Sequence, residues 1–119
     1  MRWNMGIDFI FVKCSSLIVN FWSVAMSKII VQTDKAPAAI GPYSQGVIAS
    51  CGQMVFISGQ IPLIPESMEL ITGNIKEQTE RVMQNLEGAL NAAGCSFDEV
   101  VRTTIFLKDM NDFAAVNDV

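Results

Sequence analysis

The chain predicts a mixed α+β domain, and three observations carry that prediction. Short apolar runs, Ile29-Ile30-Val31, Val47-Ile48-Ala49 and Met54-Val55-Phe56-Ile57, are separated by Gly, Pro and small polar residues, as strands bounded by turns are. A single long stretch, Asn74 to Gly94, repeats apolar residues at spacings of three and four. A further strand and the start of a second helix follow it. With 119 residues, 50% of them hydrophobic and 17% charged, the chain has room for one domain with one core.

The first strand, Ile29 to Val31, is broken by Thr33-Asp34-Lys35-Ala36-Pro37 and runs through a loop into Gly41-Pro42. The next two apolar runs flank the turn-forming Ser50-Cys51-Gly52-Gln53 and read as a β-hairpin. Antiparallel pairing there would bring Tyr43-Ser44-Gln45 close to Ser58-Gly59-Gln60, which makes this polar cluster the candidate site. Pro62 and Pro65 then exclude a central strand and predict an edge or an extended loop, with a short strand at Glu69-Leu70-Ile71.

Asn74 to Gly94 is the clearest helix. Asn74 and Glu77 have the spacing of a reciprocal cap, Glu77 precedes Arg81 by four, and Gly94 supplies a left-handed stop. Ile75, Val82, Leu86, Ala89, Leu90 and Ala93 form one apolar stripe, with Lys76, Glu80, Glu87 and Asn91 largely off it. Val100 to Leu107 is a strand in which Val101, Thr103, Ile105 and Leu107 share one side. A polar turn, Lys108 to Asp112, leads into a second helix at Phe113.

Composition excludes several functions. The formal net charge is -4 and no Lys/Arg cluster occurs, so no basic face serves nucleic acid. Histidine is absent, which removes a Ser-His-Asp triad, a His general base and a His-containing zinc site. Cys14, Cys51 and Cys95 are an odd set without a C-x-x-C pair. They fit a reduced, intracellular setting, and the plain reading of each is a small buried hydrophobe.

Residues 1–26 differ from the rest, being aromatic-rich and poor in turn signals. Ser23-Val24-Ala25 satisfies the small-residue rule for signal cleavage, but Asp8, Lys13 and Asn20 are out of place in such a peptide. A mitochondrial presequence would carry several arginines, and this stretch has only Arg2. The expectation is an extension outside the domain, with Met26 as an alternative start, and no stable membrane insertion.

The motifs Ala36-Pro37-Ala38-Ala39-Ile40-Gly41-Pro42-Tyr43-Ser44-Gln45, Ile57-Ser58-Gly59-Gln60-Ile61, Ala92-Ala93-Gly94 and Asn111-Asp112-Phe113-x-x-Val116-Asn117 resemble, in this order, the RidA (YjgF) family of reactive-intermediate deaminases. The resemblance covers everything after residue 27. It implies a chorismate-mutase-like α+β fold, one mixed sheet backed by two helices, assembled as a homotrimer with sites between subunits. It also implies hydrolysis of 2-imino acids, the tautomers of 2-aminoacrylate and 2-aminocrotonate, to 2-oxo acids and ammonia, in the cytoplasm or mitochondria and without metal or organic cofactor. Carried onto this chain, Tyr43 and Asn117 would belong to the catalytic site, and Ser58 and Gly59 would bind substrate.

One departure stands against these matches. The family pattern continues past the second helix into strands that carry a carboxylate-clamping arginine and a water-activating glutamate, whereas this sequence ends at Val119. The expectation is therefore a domain at 27–119 that lacks its C-terminal strands and is impaired in activity or folding. Arg81 and Arg102 are weak substitutes for the missing clamp. The alternative is a non-catalytic module of the same fold that binds metabolites or proteins, as in translation inhibition or chaperoning.

Overall fold

The computed structural model describes residues 5–14, 28–41, 43–49 and 53–119. The stretch 15–27, with the Ser23-Val24-Ala25 cleavage reading and Met26, lies outside the described residues. So do Pro42 and the Ser50-Cys51-Gly52 turn.

The mixed α+β architecture is the one expected. Its organising element is helix α1, Ile75–Ala92, capped by Asn74 as predicted. The Asn74 side chain accepts from the Glu77 amide at 3.0 Å, and the Glu77 carboxylate accepts from the Asn74 amide at 3.1 Å. Two amides that the helix leaves unpaired are thus satisfied. Gly94 ends the helix at φ 72°, where a β-carbon would be strained.

Val82, Leu86 and Leu90 are fully buried along one stripe of α1, each contributing roughly 2 kcal/mol by removal from water. They form the core with Ile57, Cys95 and Val116, and Val55, Val100 and Leu107 pack against it. Buried Cys95 fits the small-hydrophobe reading; its thiol donates to the Ala93 carbonyl at 3.5 Å. Gln78 and Thr79 extend the buried stripe, which apolar periodicity did not predict. Local bonds offset part of the cost: the Thr79 hydroxyl donates to the Ile75 carbonyl at 2.7 Å, and the Gln78 side-chain nitrogen donates to the Gly73 carbonyl at 2.8 Å, while Gln78 Oε1 is buried without a partner among the described residues.

Among the described residues, five strands form two sheets. β2 (Lys28–Val31) and β3 (Gly46–Ala49) pair antiparallel, with Lys28 opposite Ala49 and Val31 opposite Gly46. The other sheet has β1 (Met5–Cys14) between β4 (Gln53–Phe56) and β5 (Val100–Leu107), antiparallel to both. Along β4 the alternation is clean: Val55 and Ile57 face the core while Met54 and Phe56 are exposed. Along β5 it is not, since Val100 and Leu107, of opposite parity, both pack on the core.

Two expectations differ from this arrangement. The predicted hairpin of β3 with β4 is not among the described pairings: β3 joins β2, and β4 joins β1. Apolar spacing tells which residues are extended, not which backbone lies beside them. Likewise residues 1–26 read from sequence as an extension outside the domain, yet 5–14 supply the middle strand, with Val12 opposite Val55 on one side and Val100 on the other. No turn signal or motif marks such a long-range partner.

The segment 61–71 folds back on itself through the Ile64 amide to the Glu69 carbonyl and the Ile71 amide to the Pro62 carbonyl, both 2.9 Å. The short strand expected at Glu69–Ile71 reduces to one bridge, Leu63 to Leu70. Asn85 of α1 pins this loop by donating to the carbonyls of Ile61 at 3.2 Å and Leu63 at 2.9 Å. After β5, Asp109 accepts from the Asn111 amide at 2.9 Å, a 3₁₀ turn follows, and α2 spans Phe113–Asn117.

Candidate functional site

Tyr43 sits between the loop after β2 and the start of β3. It is 60% exposed, its amide donates to the Gly41 carbonyl at 2.7 Å, and its ring lies against Gly41. Beside it opens a cavity of about 490 Å³ whose walls include Thr33, Asp34, Ala38, Ser44 and Gln45. No Lys or Arg lines it among the described residues.

The shape of that cavity depends on Gln45. Its amide nitrogen donates to the carbonyls of Thr33 at 3.0 Å, Ala36 at 3.2 Å and Pro37 at 2.7 Å, and its oxygen accepts from the Thr33 amide at 2.7 Å. One side chain thereby satisfies four backbone groups of the 33–37 loop. The sequence placed Gln45 in the polar cluster as a site residue; in the structure it builds the wall.

Ser58 and Gly59 follow buried Ile57 and are exposed. The Ser58 carbonyl accepts from the Gln60 side chain at 3.1 Å. Gly59 opens onto a second cavity, about 470 Å³, between the 59–68 loop and α1, which shares no lining residue with the Tyr43 cavity. Arg81, Gln84, Asn85 and Gly88 of α1 form its other side. Asn117 closes α2 and is exposed. One chain therefore does not gather the four expected site residues: Tyr43 lies at one concavity and Gly59 at another. The hairpin that would have joined them is absent from the described pairings.

Of the two arginines weighed from sequence, Arg102 is exposed on β5, and Arg81 lines the Gly59 cavity. That position follows from Asn85, one turn further along the same helix, holding the loop against α1. Among the described residues no cluster of His, Cys, Asp and Glu could hold a metal ion. No described helix is long and apolar enough to cross a membrane.

Residues 33–119 match the model of the family described as endoribonuclease L-PSP. The chain belongs to this family, RidA. Among RidA relatives, a RutC family protein of Pyrococcus abyssi is 49% identical over 94 residues, covering 79% of this chain and 72% of that protein. The 2-iminobutanoate/2-iminopropanoate deaminase of the mouse is 48% identical over 90 residues, which are 76% of this chain and 65% of the mouse protein. The crystal structure of a Thermotoga maritima protein described as a putative endoribonuclease superposes with a TM-score of 0.55 at 52% identity, covering 77% of this chain and 71% of that one. Strand β1 lies outside the residues that the family model matches.

Proposed function

We propose that the chain takes part in the hydrolysis of small 2-imino acids to 2-oxo acids and ammonia, at a site completed between subunits of a homotrimer. The observation that carries this reading is the 48% identity to the mouse 2-iminobutanoate/2-iminopropanoate deaminase across the segment holding Tyr43, Ser58 and Gly59. The separation of Tyr43 from Gly59 within one chain supports a shared site. So do apolar side chains left on the sheet surface, with Phe56 65%, Ile48 55% and Phe106 50% exposed.

The chemistry needs little machinery. Water adds to the electrophilic imine carbon, the carbinolamine loses ammonia as the C–N bond breaks, and a carbonyl is left. The protein must hold the carboxylate, polarise the nitrogen and place the water. Tyr43 offers a phenol at the cavity mouth, Ser58 a hydroxyl and Gly59 an approachable backbone, with Asn117 bordering the site from a neighbouring subunit. No organic cofactor enters this scheme. A ribonuclease reading, which the family description invites, has no support from a net charge of -4 and a chain without histidine. A cytoplasmic location fits the reduced-cysteine reading.

The test supplies 2-aminocrotonate from a pyridoxal-phosphate-dependent dehydratase and follows 2-oxobutanoate release, with light scattering for the oligomer. Wild type is expected to accelerate release as a trimer at a rate below that of the mouse deaminase, in line with the impairment expected from sequence. Tyr43→Phe is expected to lower kcat/KM by about tenfold, the loss of one polar contact near 1.4 kcal/mol. No acceleration by a folded trimer would establish the binding-module alternative instead.

A further inference from the structure

The middle strand of the larger sheet is held unevenly by its two neighbours. β4 pairs with the second half of β1, Phe11 to Cys14 opposite Phe56 to Gln53, in unbroken register. β5 pairs with the first half, Met5 to Asp8 opposite Leu107 to Thr104, and meets the second half only at Phe11 and Val12, after shifts of register. Phe11 and Val12 are therefore the positions with a partner on both sides. A strand whose register slips along one ladder is held by backbone bonding more than by one side-chain fit. Such a space selects for an extended backbone and tolerates differences in sequence.

The walls of this space and its filling differ in origin. β4 and β5 lie within the residues 33–119 that match the family, and β1 does not. The ten residues of β1 carry two charges, Asp8 and Lys13, around Ile7, Phe9, Ile10, Phe11 and Val12, the composition of a strand covered on both faces. Helix α1 lies against it as well. Lys28, which opens β2, donates through Nζ to the carbonyls of Asp98 at 3.1 Å and Val100 at 3.4 Å, and Val100 stands opposite Val12. The chain thus leaves β1 and returns in β2 near the same end of β5, so the connection keeps β1 at high local concentration.

We infer that β4, β5 and α1 form a strand-acceptor site, and that residues 5–14 are its tethered ligand. The site takes an extended, largely apolar peptide that adds antiparallel to both walls, and the same ten residues supplied as a separate peptide replace β1. Recognition rests on main-chain hydrogen bonds with apolar neighbours. It is independent of the hydrolytic reading.

The test inserts a protease recognition sequence between Cys14 and Lys28 and cuts the folded full chain in the presence of a fluorescent peptide with the sequence of Met5–Cys14. Gel filtration then measures the label carried in the protein peak. The cut protein is expected to exchange its own strand for the labelled peptide, with slow amide exchange kept along β4 and β5. The uncut chain is expected to take up at least tenfold less, because the tethered strand competes. A peptide bearing Val12→Pro is expected to enter at least tenfold less as well, since proline lacks the N–H of a central strand. Absence of label from the protein peak overturns the site, whether the cut strand stays or leaves. Equal entry of the Val12→Pro peptide also overturns it, because binding would then be apolar adhesion and not strand addition. So does a monodisperse cut protein that holds neither strand yet keeps the β4 and β5 amides protected.

Discussion

Gly73 leaves open the space that the Glu77 carboxylate occupies: a β-carbon on Gly73 would collide with Glu77 Oε2. The reciprocal cap with Asn74 thus depends on a glycine that no capping rule names. Gly73→Ala is expected to displace the carboxylate and Asn74→Ala to remove the other half, each destabilising by about 1 kcal/mol in urea unfolding. Because both act on one cap, the double variant should lose less than the two single losses added together.

Gln45 holds the 33–37 loop by four bonds from one side chain. Gln45→Ala is expected to raise amide exchange at Thr33 about fivefold or more while leaving α1 amides unchanged, since the loss is local. Unchanged exchange at Thr33 would show that the wall of the Tyr43 cavity stands without it.

Leu86 is 1% exposed at the centre of the α1 stripe. Leu86→Ala is expected to cost about 3 kcal/mol, through lost transfer energy and the void left behind. Against a total stability of about 5–15 kcal/mol, such a loss should lower the thermal unfolding midpoint by roughly 10 °C or more.

Strand β1 separates β4 from β5, so a chain beginning at Ser27 loses the backbone partner of both. Such a chain is expected to aggregate, visible by size-exclusion chromatography, with faster amide exchange along β4 and β5. A monodisperse chain with full protection of those strands would show that residues 1–26 are dispensable and restore the boundary expected from sequence.

What could be read from sequence was local. Asn74, Glu77 and Gly94 announce the ends of α1 because caps depend on residues a few positions apart, and Val100–Leu107 announces a strand by its own composition. Tyr43, Ser58, Gly59 and Asn117 could be named from motif resemblance, but not placed relative to one another. The sequence therefore determined by itself α1 and its limits, the extended runs that become β2 to β5, and the family. Only the tertiary structure decided that β4 pairs with β1, that Gln78 and Thr79 are buried, and that Arg81 shares a cavity with Gly59 while Tyr43 does not. The physical reason is range: helix periodicity and caps are set within four residues, whereas strand partners and cavity walls join residues tens of positions apart, chosen by packing and hydrogen-bond satisfaction across the whole fold.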